Sequence, residues 1–199
     1  IHYYDIPGFE KSVQTSKSTN RRVTIRGGTE FLPSFLKRKQ KTYNRYGIKY
    51  SPSKKWAEYT QKRERTLRQA DDLIAISSFV KDSYLDAGLD PNKIKVINQG
   101  VDTKKFHQKS DSNSDIFQAL FVGSVNIMKG IPDLLEAWKQ LDQKESEAEL
   151  YLCGSVSSEV EPFLNLYKSS NIFLPGWVDP IDYYQKASVF VFPSLTEGF

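Results

Sequence analysis

Cysteine, histidine and methionine are almost missing from this sequence. Its 199 residues hold one cysteine, Cys153, two histidines, His2 and His107, and one methionine. A single thiol excludes an internal disulfide framework and a cysteine zinc cluster. Two histidines argue against a histidine-based catalytic metal site. Long apolar runs are lacking as well. No stretch of about 18 apolar residues occurs, so no membrane-spanning helix is expected. The first residues show no basic segment followed by an apolar one, so they do not read as a signal peptide. What remains is 39% hydrophobic and 26% charged, a globular composition on the polar side, whose length predicts one domain or two small ones.

The net charge of +4 conceals an asymmetry. Residues 1–110 carry 23 Lys and Arg against 11 Asp and Glu, a net +12, whereas residues 111–199 carry 5 against 13, a net −8. A basic half followed by an acidic half suggests two units with different partners. The basic half suits phosphates, nucleic acid or an anionic membrane surface, or it is simply a set of solvated helix faces.

Short runs of β-branched and aromatic residues alternate with longer amphipathic ones. Residues 22–25, 73–76, 94–97, 117–122, 149–152, 172–174 and 188–192 read as strands. Ile131, Leu134, Leu135, Trp138 and Leu141 share one helix face, with Pro132 fitting the first turn. Residues 54–70, 78–87 and 158–169 read as helices, and Asp179 can cap another over 180–186. Strands alternating with helices predict an α/β protein with parallel sheets. The polar, aperiodic segment 103–115 coincides with the charge switch and reads as a linker. Glycine or polar clusters follow nearly every strand, and a parallel sheet places all such ends on one edge, where ligands bind.

Five of these loops carry candidate chemistry. In Phe121 to Gly130, a strand leads through Gly123 and Ser124 to Lys129 before a helix. Free N–H groups, the helix dipole and a lysine there favour a phosphate, although the P-loop spacing is absent; the plainer reading is a surface lysine. The strand over 188–192, expected to be buried, leads through Pro193 to Glu197 and Gly198. Glu197 can accept from sugar hydroxyls or stabilise a cationic transition state, or it is a helix-capping glutamate. In Leu174 to Asp179, backbone beside Gly176 can read a nucleobase edge while Trp177 adds apolar surface, or the segment is a plain strand-to-helix turn. Asn98 to Asp102 reads as an interdomain turn. Arg26, Gly27 and Gly28 follow a strand, where Arg26 can bind phosphate or carboxylate and the glycines permit close approach. His2 follows an apparent strand end and is an acceptor-site candidate or a structural histidine. Cys153 reads as a packed small hydrophobe.

Taken in order, these motifs resemble the family 4 retaining glycosyltransferases of GT-B fold. Ala70 to Ser77 is similar to the family's "AD.I...S" element, Asn98 to Phe106 to "PNGVD…F", Phe121 to Trp138 to "FVGR…KG…LLEAW", and Arg26 to Glu30 to an "RGSTH" variant. The resemblance covers about residues 21–199. It implies an α/β, GT-B-like architecture of two partial Rossmann-like domains with parallel sheets. Residues 1–107 would be the C-terminal part of an acceptor domain, and residues 115–199 the N-terminal part of a donor domain.

The resemblance further implies transfer, with retention, from a UDP- or GDP-sugar to a glycan or lipid acceptor. The donor would be held by Gly123, Ser124, Lys129, Gly154, Val178, Glu197, Gly198 and Phe199. Lys129 would face the diphosphate, Val178 the base and Glu197, the catalytic candidate, the sugar. His2, Arg26, Gly27 and Gly28 would lie on the acceptor side. No cofactor and no metal are expected, nor nucleic acid as a partner. The protein is expected in the cytoplasm, with peripheral contact to the inner face of an anionic membrane. Ser124 stands where the family often has arginine, and the family's second glutamate, eight positions after Glu197, would fall past Phe199. Two alternatives are a non-catalytic anion- or nucleotide-binding module and a GT-B sugar-nucleotide epimerase.

Overall fold

The computed structural model describes residues 1–5, 9–106, 116–142 and 148–198. They form two compact units, Ile1–Gly100 joined by Glu197 and Gly198, and Val101–Thr196. Among the described residues no helix is long and apolar enough to cross a membrane.

The first unit runs β1 (His2–Tyr4), α1 (Glu10–Ser18), β2 (Val23–Gly27), α2 (Leu32–Arg45), α3 (Lys54–Gln69), β3 (Asp72–Ala75), α4 (Ser78–Asp86) and β4 (Ile94–Val96). The sheet order is β1-β2-β3-β4 with every pairing parallel. β2 alternates, with Val23, Ile25 and Gly27 buried and Thr24 and Arg26 half-buried. Val13 of α1, Leu67 of α3, and Val80 and Tyr84 of α4 pack on Ile25, Leu73 and Ile94. Each such side chain contributes roughly 1.5–3 kcal/mol on full burial. The entries to α3 and α4 are capped by side chains: Ser53 accepts from the Trp56 N–H and Ser77 from the Val80 N–H. α1 carries no apolar stripe, burying only Val13 and Ser16. It is held instead by ion pairs, Lys17 to Asp71 and Arg65 of α3 to Glu10.

The second unit runs β5 (Phe117–Val122), α5 (Ile131–Asp142), β6 (Ala148–Cys153), α6 (Glu161–Leu166), β7 (Ile172–Gly176), α7 (Ile181–Lys186) and β8 (Val189–Phe190). Its order is β7-β6-β5-β8, again all parallel. The sheet grows from β5 outward to β7, then the chain returns to the other side of β5 as β8. The strand order reverses between β5 and β8, which is where doubly wound sheets open a ligand crevice. α5 buries Ile131, Leu134, Leu135 and Trp138 against Phe121, Leu150 and Leu152. Leu141, expected on the same face, is 55% exposed in the last turn of that helix.

Three further expectations are corrected. Residues 158–169 do not form one helix: a 3-10 turn over Ser158–Val160 precedes α6, whose first turn holds Pro162, a residue without an N–H suited to a helix start. β8 is not buried: Val189 and Phe190 are 40% and 43% exposed, because among the described residues β8 pairs only with β5. The segment from Asp102 to Phe106 is a turn within the second unit, with the Asp102 side chain accepting from the Lys104 N–H at 2.9 Å and Phe106 edge-on to Tyr184. The rest of the expected linker, 107–115 with His107, lies outside the described residues.

Candidate functional site

The C-terminal ends of β5, β6 and β7 enclose a pocket of about 370 Å³. β5 contributes Val122, Gly123 and Ser124; β6 contributes Cys153, Gly154 and Ser155; the loop after β7 contributes Trp177, Val178 and Pro180. Parallel pairing continues past the strands and fixes this wall. Gly123 N–H donates to the Cys153 carbonyl at 2.9 Å, Gly154 N–H to the Gly176 carbonyl at 2.7 Å, and Val125 N–H to the Ser155 carbonyl at 2.8 Å. Gly123 and Gly154 both have φ of +150°, a conformation that L side chains rarely adopt. A Cβ on Gly154 would stand 1.9 Å from the Gly123 carbonyl oxygen, so the two loops can lie this close only without it. Trp177 is 89% exposed and forms an open apolar rim. The Cys153 thiol is pushed up to about 11 by burial, so it stays neutral near pH 7 and adds no negative charge to the pocket.

At the β5–β8 reversal, Lys129 ends a 3-10 turn over Ile127–Lys129, and Gly130, with φ of +71°, separates it from α5. Lys129 thus precedes α5, as the sequence predicts, with Gly130 between them, and it lies outside the pocket lining. Its Nζ sits 5.4 Å from the Phe192 ring centroid. The loop after β8 folds onto this turn: Leu195 N–H donates to the Met128 carbonyl, and a Cβ on Gly130 would meet the Pro193 carbonyl oxygen at 2.1 Å. The Ser194 hydroxyl in this loop is shielded from solvent and has no hydrogen-bond partner among the described residues, an arrangement that invites a ligand.

In the first unit, Arg26 meets a carboxylate of the chain itself. Its Nε and Nη2 donate to Asp5 at 2.6 and 3.1 Å, and this guanidinium holds the Asp5 carboxyl below its ordinary range. Gly27 is required by packing, since a Cβ there would lie 1.7 Å from the Tyr84 hydroxyl. Gly28 has open space around its own Cβ position. Its carbonyl oxygen faces Gly198, where a Cβ would approach to 2.0 Å, and Ser77 Oγ donates to the Gly198 carbonyl at 2.7 Å. Glu197 and Gly198 therefore group with the ends of β2 and β3. Phe199 lies outside the described residues.

His2 does not join Arg26, Gly27 and Gly28. It opens β1 rather than following it and pairs in register with Val23, so it sits at the opposite end of the parallel sheet. Its Nδ1 is hydrogen-bonded to Ser16 Oγ at 2.6 Å, a structural role. Conversely, Glu30 was not singled out from sequence. It is 3% exposed directly after the Gly27–Thr29 loop and is paired with Arg38. A charged residue in a glycine-rich loop reads as solvated, so no sequence signal marked its burial.

Of the expected donor residues, the structure thus gathers Gly123, Ser124, Gly154 and Val178 in one pocket. Two parallel, partial Rossmann-like sheets with a strand-end pocket define a GT-B-type α/β protein. Family models agree: residues 31–105 match Glycosyltransferase Family 4 and residues 102–199 match Glycosyl transferases group 1. The chain belongs to these glycosyltransferases.

The capsular polysaccharide biosynthesis glycosyltransferase CapM of Staphylococcus aureus is 30% identical over 148 residues, covering 65% of this chain and 39% of that protein. An uncharacterized 41.2 kDa protein in the cps region of Klebsiella pneumoniae is 27% identical, covering 78% and 48%. The chain thus spans less than half of these relatives. Among solved structures, sucrose-phosphate synthase from Thermosynechococcus elongatus aligns with a TM-score of 0.67 at 19% identity, covering 99% of this chain and 50% of that one. Anabaena Alr3699/HepE in complex with UDP and glucose aligns at 0.68 with 13% identity, covering 93% and 50%.

Proposed function

We propose that the protein to which this chain belongs transfers a sugar, with retention of configuration, from a UDP-sugar to a glycan acceptor. The observation that carries this reading is the convergence of Gly123, Ser124, Gly154 and Val178 on one pocket at the ends of β5, β6 and β7. Val178 and the rim of Trp177 suit a nucleobase face, and the glycine loops let backbone approach a ribose and diphosphate. Lys129 and the start of α5 supply positive charge to the diphosphate. UDP is favoured because UDP is the nucleotide named with Alr3699/HepE and with the pneumococcal O-GlcNAc transferase GtfA.

In the reaction, the bond between the anomeric carbon and the diphosphate oxygen breaks, and the diphosphate leaves with the electron pair. An acceptor hydroxyl bonds to the same face of that carbon and passes its proton to the departing diphosphate oxygen. The developing charge on the diphosphate is met by Lys129 and by N–H groups without a metal. The reaction takes place in the cytoplasm, where nucleotide sugars are made.

Titration calorimetry of the chain with UDP and with GDP tests the reading. UDP binding that falls about tenfold in Lys129→Ala, about 1.4 kcal/mol, is the expected result. Absence of binding by both nucleotides, in this chain and in a longer form of the protein, overturns it.

A further inference from the structure

We infer that Ser124 and Ser155 form a facing pair of hydroxyls that reads the ribose diol of the nucleotide. The inference deepens the donor reading above and rests on it. It starts from a short repeat. Gly-Ser-Val stands at 123–125 and again at 154–156, each time directly after a strand of the second sheet.

The structure lays the two copies side by side. Val122 is opposite Cys153 in the parallel register, and Val125 bridges in parallel to Val156. The same number of residues separates each pair, so Ser124 stands opposite Ser155. Val125 N–H donates to the Ser155 carbonyl at 2.8 Å, and Ser157 N–H donates to the Val125 carbonyl at 3.0 Å, which carries the register through the loops. Neighbouring strands lie about 4.8 Å apart, and this spacing sets the two serines as close neighbours. Both are exposed, and both line the pocket.

Packing accounts for glycine in these loops but not for serine. Gly154 has no room for a Cβ against the Gly123 carbonyl. Nothing comparable asks for a hydroxyl at 124 or 155, and neither hydroxyl is bonded to a partner among the described residues. Their bonding capacity is directed to the pocket.

The rest of the lining selects the kind of ligand group. Val122, Val178 and Pro180 are apolar, no Lys or Arg lines the pocket, and Lys129 lies outside it. A phosphate against this wall meets no cation. A neutral diol is matched there, because each sugar hydroxyl, like each serine, donates one hydrogen and accepts others. Two adjacent hydroxyls placed between two facing serines are bonded on both sides. Trp177 and Val178 take the base, and the diphosphate extends toward Lys129. A few placed polar groups in an otherwise apolar pocket fix orientation and specificity in this way.

Titration calorimetry of the chain, and of a longer form of the protein, with UDP, 2′-deoxy-UDP and UDP-glucose tests the inference. UDP is expected to bind the unaltered protein about threefold to tenfold more tightly than 2′-deoxy-UDP, the worth of one hydrogen bond. Ser124→Ala/Ser155→Ala is expected to bind UDP about tenfold more weakly and to bind the two nucleotides alike. Equal affinity of the unaltered protein for UDP and 2′-deoxy-UDP overturns the inference and leaves the donor reading standing. So does a preference that survives in the alanine variant. A loss in that variant confined to UDP-glucose assigns the serines to the diol of the transferred sugar and also overturns it. Binding of none of the three ligands, by either form of the protein, overturns the donor reading and this inference with it. The comparison of UDP with 2′-deoxy-UDP uses the unaltered protein and is independent of how the variant folds.

Discussion

Gly154 has no room for a side chain, and Gly28 has plenty. A methyl on Gly154 meets the Gly123 carbonyl oxygen at 1.9 Å and imposes a disfavoured φ. Gly154→Ala is expected to destabilise by about 2–4 kcal/mol. Gly28→Ala, with nothing within 4 Å of the added carbon, should cost less than about 0.5 kcal/mol. Urea unfolding distinguishes the two. Tyr84 carries a pH-dependent prediction. It is 1% exposed, and burial pushes its hydroxyl up to about 12. The unfolded chain loses that proton near pH 10 while the folded chain keeps it. Stability from this group is therefore intact below about pH 10 and is lost as pH rises toward 12, by roughly 2–3 kcal/mol in all. Melting curves of Tyr84→Phe should lack this share of the alkaline decline. At this scale, the strand-end positions of Gly123 and Gly154 were legible because a strand followed by glycine marks the edge of a parallel sheet, whereas Val178 was singled out only by the resemblance. The roles of His2 and Arg26 were not, because Ser16 and Asp5, their actual partners, are related to them by folding and not by any pattern.

Among the elements, those legible in the sequence bury a periodic apolar face. β5 was read at its observed bounds, and α5 by its stripe. α1 escaped because its nine residues average out as polar, and only tertiary contacts make it a helix. The contact that matters most is with Asp71, at the entry to β3. Its carboxylate accepts from Lys17 at the end of α1 and from the Val23 N–H at the start of β2, tying three elements at one point. The Lys17 bond, aided by the Val23 N–H and opposed by burial, holds this carboxyl below its ordinary value. The stabilisation is therefore present above about pH 4 and is lost as pH falls through the lowered folded value. Asp71→Asn should cost about 1 kcal/mol near pH 7, a modest figure because Lys17 is partly exposed. The variant should also be less sensitive than the parent between pH 4 and 2, as acid titration followed by circular dichroism would show.

At the scale of the whole molecule, the sequence showed a charge switch and a motif order, and both foretell two units. The boundary at Gly100 and Val101 was less legible, because Asp102 to Phe106 looks like linker by composition yet is ordered by the Asp102 cap and the Phe106–Tyr184 contact. The two cores share no residue. The glycine-walled pocket belongs to the second unit and the lysine-rich helix pair of α2 and α3 to the first. They also differ in kind. The pocket offers backbone N–H groups and an apolar rim shaped for one molecule, whereas the helix pair offers diffuse positive charge. Amide hydrogen exchange can therefore separate them. UDP should slow exchange in residues 122–126, 153–157 and 176–181 and leave 37–56 unchanged, at any moderate salt. If UDP protected 37–56, the basic half would have to be read as part of the donor-binding machinery.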